Sequence, residues 1–278
     1  MPQLSILIPA YNSTCSLPPL VMDLLAQAGS AYDIEVVICP DDGADYASLL
    51  PNDSRITFAP CGMKSGPGIA RTRALNSAKG DFVTWVDADD WLDDSYLASV
   101  FNGLERYKAF AVRPEYRRQG SFVRRLNAEV LDAKRLCDFY GSVPVVAPRH
   151  WLTCFPDVVA EDVIASMRVL HANGGSLPVV NAGYHFILND ESYCARYGAA
   201  FSVAYRDNLS SLESLARSMG CADLVDDLKL LFETRLAMSE KFDCEIALDP
   251  DADYHQFILG QGKKPIESSY AGPFGRWY

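Results

Sequence analysis

The 278-residue sequence lacks any Cys-x-x-Cys pair, although it carries eight cysteines, at positions 15, 39, 61, 137, 154, 194, 221 and 244. Thiols scattered in this way argue against a zinc site and point to free cysteines in a reducing cytoplasm. No apolar run approaches the roughly 20 residues that span a bilayer, so no transmembrane segment is expected. The opening residues Met1-Pro2-Gln3-Leu4-Ser5 have no basic stretch ahead of their apolar run, so a signal peptide is not expected either. Positive charge is in deficit: 25 Lys and Arg against 36 Asp and Glu give a formal net charge of −11. That balance excludes non-specific nucleic-acid binding and a broadly basic membrane-binding face. There is no internal repeat. What is left is an ordinary globular composition, 49% hydrophobic and 22% charged. It suffices for one large α/β domain with a smaller appendage, or for two domains.

The stretch that organises the chain is Asp81-Phe82-Val83-Thr84-Trp85-Val86-Asp87-Ala88-Asp89-Asp90-Trp91. Its first half has the β-branched and aromatic composition of a buried strand. Its second half puts three carboxylates within four residues, where that strand must end. Crowded carboxylates resist full ionisation unless a cation lies among them. A hard divalent ion with oxygen ligands, Mn²⁺ or Mg²⁺, is the natural partner and commonly bridges to substrate phosphates. In open α/β sheets, ligands bind at the carboxyl ends of strands. The bland alternative is a solvated acidic turn, but this one sits between two Trp residues and not in a Gly/Ser-rich loop.

In chain order, a strand over residues 4–8 ends at Pro9, and Pro18-Pro19 opens a helix to about residue 28 with an apolar stripe. A second strand over 34–39 ends at Pro40-Asp41-Asp42-Gly43, and a short one follows near 55–59. The Gly-rich turn over 62–68 opens a helix over 69–78, which Gly80 stops. Strand–helix–strand order with continuously apolar strands predicts parallel pairing and a nucleotide-binding α/β sheet.

These residues resemble family-2 glycosyltransferases, inverting enzymes of the GT-A fold that use nucleotide-sugars. Ser5-Ile6-Leu7-Ile8-Pro9-Ala10-Tyr11-Asn12 looks like the family's opening strand. Glu35-Val36-Val37-Ile38 followed by Asp41-Asp42-Gly43 is similar to its second strand and nucleobase-binding Asp. Gly66-Pro67-Gly68-Ile69-Ala70-Arg71 looks like its Gly-x-x-x-Ala-Arg segment, Asp87-Ala88-Asp89-Asp90 its metal-binding Asp-x-Asp, and Glu161-Asp162 its base-bearing pair. The sequence departs from the family at Cys39-Pro40, Ala44 and Thr72. The resemblance implies a GT-A-like, mostly parallel sheet flanked by helices over 1–205. Its nucleotide-sugar half would be 1–100 and its acceptor and catalytic-base half 101–205, with a helical appendage and tail over 206–278.

The expected roles follow. A divalent ion held by Asp89, with Asp87 or with His185 approaching, would neutralise the diphosphate leaving group. Asp87 has a second reading as acceptor of ribose hydroxyls, and Ala88 lies beside it in the nucleotide-binding set. Pro9, Tyr11 and Asn12 should flank one pocket with Asp41, whose carboxylate suits the N3–H of uracil. Gly66 and Arg71 open the helix that faces phosphate or base. Asp162, with Glu161 beside it, would take the proton from an acceptor hydroxyl, giving inversion by single displacement.

Elsewhere the sequence offers alternatives. His185 could instead be a hydrogen-bonded core residue. Arg113, Arg117, Arg118, Arg124, Arg125, Lys134 and Arg135 make a local basic concentration, either for an anionic acceptor or as a solvated hairpin and helix face. Residues 190–205 look like a loop that closes over the donor, and 207–242 like a helical pair. The function expected is metal-dependent transfer from a UDP-sugar to a glycan or lipid-linked acceptor, as in surface polysaccharide assembly. It would take place in the cytoplasm or peripherally at the inner face of the membrane. Rival readings are a non-catalytic nucleotide- or glycan-binding protein and an Asp-x-Asp phosphatase. Trp91 stands where the latter wants Thr or Val, and a calcium loop fails at Leu92 and Ala98.

Overall fold

The computed structural model describes residues 3–188, 200–249 and 252–261. Its first part is β1 (Leu4–Ala10), α1 (Leu17–Ala28), β2 (Ile34–Pro40), β3 (Ile56–Phe58), α2 (Pro67–Ser77) and β4 (Phe82–Trp85). These strands stand in the order β3-β2-β1-β4, all parallel. β1 and β2 are apolar on both faces because both are covered. Ile6, Ile8, Val36 and Ile38 pack with α1, while Leu7, Val37 and Cys39 pack with α2.

The second part is β5 (Trp91–Leu92), α3 (Tyr96–Arg106), β6 (Phe110–Arg118), β7 (Ser121–Arg125) and β8 (Val130–Asp132). It continues through α4 (Ala133–Phe139), β9 (Val145–Pro148), α5 (Glu161–Ala172) and β10 (Ser176–Leu188). β9 runs antiparallel between β4 and β6, and β6 pairs in parallel with β10. The longest registers of this ten-stranded sheet are parallel; the antiparallel pairs are short and lie towards the β6–β10 end. A bulge between Val180 and Tyr184 interrupts β10. It lets Gly183 (φ 71°) pass against Asp93, whose carboxylate would collide with any side chain there.

The last part is α6 (Phe201–Ser210), α7 (Leu212–Ser218), α8 (Val225–Leu248) and α9 (Tyr254–Gln261). Three helices stand where the apolar spacing over 207–242 predicted two. The chain breaks at Ser211 and again at Gly220, which takes a left-handed φ of 65°. The expected boundary at residue 205 falls inside α6. Phe201, Tyr205, Leu228 and Phe232 share one core with Val83 and Trp85 of β4 and Ile164 of α5. Residues 189–199, most of the expected donor-closing loop, lie outside the described residues.

Candidate active site

The parallel strands end on one cavity of about 930 Å³. Pro9 near the end of β1, Tyr11 and Asn12 after it, Asp41 after β2 and Asp87, Ala88, Asp89 and Asp90 after β4 line it. So do Gly66 and Arg71 of the α2 turn and helix, and Glu161 and Asp162 of α5. Segments more than a hundred residues apart in sequence therefore meet, as the carboxyl end of a parallel sheet requires.

α2 is the piece that joins them. Gly66 caps it in a conformation closed to other residues (φ 92°), and its N–H donates to Asp41 Oδ2 at 2.9 Å. Arg73 Nη1 lies 3.6 Å from Asp41 Oδ1, which has no hydrogen bond. Gly68 faces the loop that precedes α5; a Cβ there would lie 2.4 Å from the Pro156 carbonyl. Thr72 Oγ1 accepts the Phe155 N–H at 2.8 Å and donates to the Phe155 carbonyl at 2.9 Å. Thr72 departs from the family pattern, and its hydroxyl is what seats this loop. Arg71, buried, donates one nitrogen to Asp87 Oδ1 and another to Glu161 Oε1.

Electrostatics sort the acidic residues. Burial alone would lower the Arg71 pKa, but the Asp87 and Glu161 charges outweigh it and hold the guanidinium above its usual range. Burial pushes Glu161 up to about 8 against the pull of Arg71, and the Asp162 charge adds to the rise. Asp90 is buried and raised well above the carboxylate range, first by burial and then by the Asp87 and Asp89 charges. It accepts the Tyr184 hydroxyl at 2.7 Å and the Ile187 N–H at 2.9 Å, while Tyr184 accepts the Asp87 N–H at 3.1 Å. Asp90 thus ties the acidic turn to β10. Asp89 is exposed towards the cavity.

Behind β2, Asp42 shapes the β1 turn. Its carboxylate accepts the N–H groups of Asn12 (2.6 Å) and Ala44 (3.0 Å) and the Tyr46 hydroxyl (2.8 Å). Burial raises its pKa, but these hydrogen bonds outweigh that and lower it. Asn12 is held at φ 53°.

Asp162 is half-buried; Oδ1 accepts the Val163 N–H at 2.8 Å, and Oδ2 accepts the Ser142 hydroxyl. Its helix begins after Ala160, which takes a left-handed φ of 66° and turns both acids towards the cavity mouth.

His185 is the site expectation that the geometry corrects. Phe186, Ile187 and Leu188 of β10 line the cavity, whereas His185 does not. Its Nδ1 accepts Arg117 Nε at 3.0 Å, its Nε2 is 3.0 Å from Asp93 Oδ1, and its ring stacks on Trp91 at 4.4 Å. With both nitrogens engaged away from the acidic turn, it cannot reach an ion there. Among the described residues, no group of three or more His, Cys, Asp and Glu side chains forms a ready-made metal cage.

The basic concentration is largely neutralised by ion pairs. Arg113 pairs with Glu129, Arg117 with Glu115, Arg118 with Asp253, Lys134 with Asp138 and Arg135 with Asp132. Lys134 and Arg135 lie on a solvated helix face, whereas Arg113, Arg117 and Arg118 are mostly covered where they pair. Arg124 differs: it is turned into the cavity with Tyr116, Tyr140, Tyr205, Arg235 and Tyr254. Sequence reading missed this second wall, apart from Arg124 as one of a cluster. Arg235 comes from a helix whose apolar spacing shows only that it is a helix, and Tyr254 from the tail, where the sequence pattern indicated no element.

The description "Glycosyl transferase family 2" fits residues 5–155 of the chain by its family model. An uncharacterized glycosyltransferase of Haemophilus influenzae is 30% identical over 107 residues, 37% of this chain and 42% of that protein. WfgD of Escherichia coli, a UDP-Glc:α-D-GlcNAc-diphosphoundecaprenol β-1,3-glucosyltransferase, is 26% identical over 65% of this chain and 74% of its own. The chain spans less than half the length of the first curated relatives it matches. Among solved structures, Staphylococcus aureus TarS 1–349 in complex with UDP-GlcNAc superposes with a TM-score of 0.63 at 17% identity. That superposition covers 93% of this chain and 78% of TarS 1–349 and shows a shared GT-A fold. With the family model matching more than half of its residues, the chain belongs to glycosyl transferase family 2.

Proposed function

We propose that the protein is an inverting glycosyltransferase that moves a sugar from a UDP-sugar to a glycan or lipid-linked acceptor in surface polysaccharide assembly. On this reading the reaction takes place in the cytoplasm or peripherally at the inner face of the membrane. Among the described residues, no helix is long and apolar enough to cross it. The observation that carries the reading is that Asp41, Asp89 and Asp162 wall one cavity, with α2 joined to the segments bearing all three.

Asp41 lines the cavity, its buried Oδ1 without a hydrogen bond and 3.6 Å from Arg73, and its carboxylate is assigned the N–H of a base such as uracil. Asp162 takes the proton of the acceptor hydroxyl as its oxygen bonds to the anomeric carbon. The bond from that carbon to the diphosphate breaks with the electron pair, and UDP leaves from the opposite face. Ser142 and the α5 N-terminus hold the base in place. Glu161 is committed to Arg71 and positions the base-bearing helix.

The donor set suits a hard divalent ion that takes one or two protein carboxylates and substrate phosphates. Asp89 would hold it; Asp87 contributes while engaged with Arg71, and His185 is outside the set. When bound, such an ion neutralises charge on the leaving diphosphate.

The test is a nucleotide-sugar hydrolysis panel with and without manganese, paired with calorimetry of UDP and CDP. Expected are manganese-dependent UDP-sugar turnover, UDP bound above CDP, loss of metal-dependent UDP binding in Asp89→Ala and loss of the base preference in Asp41→Ala. Equal UDP and CDP affinity, or GDP tighter than both, overturns the donor assignment. Metal-independent turnover overturns the role of Asp89.

A further inference from the structure

The wall of the cavity beyond Asp162 carries two arginines that no mechanism step uses. Arg235, near the middle of α8, is only 6% exposed. Its guanidinium lies over the Tyr140 ring at 4.3 Å, and Nη2 donates to the Gly141 carbonyl at 3.2 Å. Its Nε has no hydrogen-bond partner. Arg124, on β7, reaches the same turn. Its Nη1 and Nη2 donate to the carbonyls of Phe139 and Tyr140 at 2.7 and 2.8 Å, and its guanidinium lies over the Tyr116 and Phe139 rings. Both arginines line the cavity. Among the described residues, neither forms an ion pair with a carboxylate, unlike the five paired cations of the nearby hairpin and α4.

A capping role accounts for part of this. The three carbonyls follow the C-terminus of α4, which attracts cations with an effective charge of roughly half an electron. Two guanidiniums bring two full charges, so most of the positive charge has no counterpart in the wall. Burial, with the Arg235 charge adding to it, lowers the Arg124 pKa, whereas at Arg235 the neighbouring Tyr205 and Tyr140 outweigh burial and raise it. Uncompensated charge in a buried wall that opens on a cavity is the pattern of a site for an anion.

The place of the wall says whose anion. Tyr116 accepts the Ser142 N–H at 2.6 Å, and the Ser142 hydroxyl donates to Asp162. Two residues, Tyr116 and Ser142, therefore link Arg124 to the base that receives the acceptor. Tyr140 and Tyr254 add hydroxyls at the same end, 3.3 Å apart. We infer that Arg124 and Arg235, with Tyr116 and Tyr254, form a subsite for a phosphate group carried by the acceptor. The inference rests on the glycosyl-transfer reading of the cavity and narrows its acceptor to a phosphate-bearing molecule.

The test uses the full chain and inorganic pyrophosphate as probe, read by calorimetry with and without saturating UDP. The UDP-saturated protein is expected to bind pyrophosphate still, and Arg235→Met to weaken that binding at least tenfold while UDP affinity changes less than twofold. Arg124→Met should act in the same direction. Should Arg235→Met fail to fold, Arg235→Lys keeps the charge and the stem but loses the fork. It is expected to weaken pyrophosphate at least threefold with UDP affinity intact. Displacement of pyrophosphate by UDP in the wild type would assign the anion to the donor and overturn the inference. Citrate binding as tightly as pyrophosphate, or unchanged affinity in the folded variants, would overturn it too. A wild type that binds pyrophosphate but not UDP would instead sink the glycosyl-transfer reading and leave the anion subsite standing.

Discussion

The two ends of the cavity are built on opposite electrostatic plans. At the donor end, the carboxylates of Asp87 and Glu161 converge on one buried guanidinium, Arg71, and negative charge is in excess. At the far end, two guanidiniums lie on aromatic rings and backbone carbonyls with no carboxylate partner among the described residues. The first plan is completed by something positive, the second by something negative. Asp162, the proposed base, lines the same cavity. The difference teaches that charge imbalance, read separately at each end, says more about the ligands than the net charge of −11 does.

The largest effect that sharpens this contrast is expected at the base. Asp162→Asn keeps the shape and removes the proton acceptor, so kcat should fall by roughly 10²–10⁴-fold. UDP affinity should hold within about twofold, the margin set by treating the base as facing the acceptor. Near wild-type turnover in steady-state kinetics would move the base to another residue.

Next comes a comparison of stability. Arg71→Met leaves the Asp87 carboxylate and the buried Glu161 carboxyl without their shared cation and should lower unfolding free energy by about 3–5 kcal/mol. Adding Glu161→Gln should restore part of that loss. Arg235→Met strands no carboxylate and should be milder. Urea unfolding of the three variants decides it; equal losses at Arg71 and Arg235 would erase the distinction between the ends.

The smallest effect lies outside both ends. Burial alone would lower the His185 pKa, but Asp93 and Glu115 outweigh it and raise it above 6.5. The folded protein therefore holds this proton more tightly than the unfolded chain. The stabilisation is full below pH 6.5 and is lost as pH rises through the folded value. The Tm difference between wild type and His185→Gln should shrink across that window, with manganese-dependent UDP binding unaffected. A difference flat with pH, or a loss of metal dependence, would return His185 to the donor end.

The donor end was legible because its residues sit in short segments fixed to strand and helix termini. Asp41 follows an apolar strand, Arg71 a Gly-rich turn, and Asp87 to Asp90 another strand, so local pattern placed each at the sheet's carboxyl edge. The far end was not legible. Tyr116, Arg124, Arg235 and Tyr254 come from four separate elements and Tyr140 from the turn after α4, and only tertiary packing aims them at one point. The sequence left His185 open between an ion ligand and a hydrogen-bonded core residue, because its partners Arg117 and Asp93 lie 68 and 92 residues away. The sequence likewise could not separate Arg124 from its neighbours, because the acids that pair with Arg113 and Arg118 lie 16 and 135 residues away.

The seating of α2 bears on how the protein can be divided. The family match ends at residue 155, the residue whose N–H and carbonyl are both held by Thr72. A piece excised there would keep Asp41 and Asp89 but leave Arg71 without the partner 90 residues further on, and Gly68 without the loop it makes room for. The smallest excisable unit that retains a donor site as built here must therefore run through α5. Any domain border drawn for expression or fusion belongs beyond residue 172.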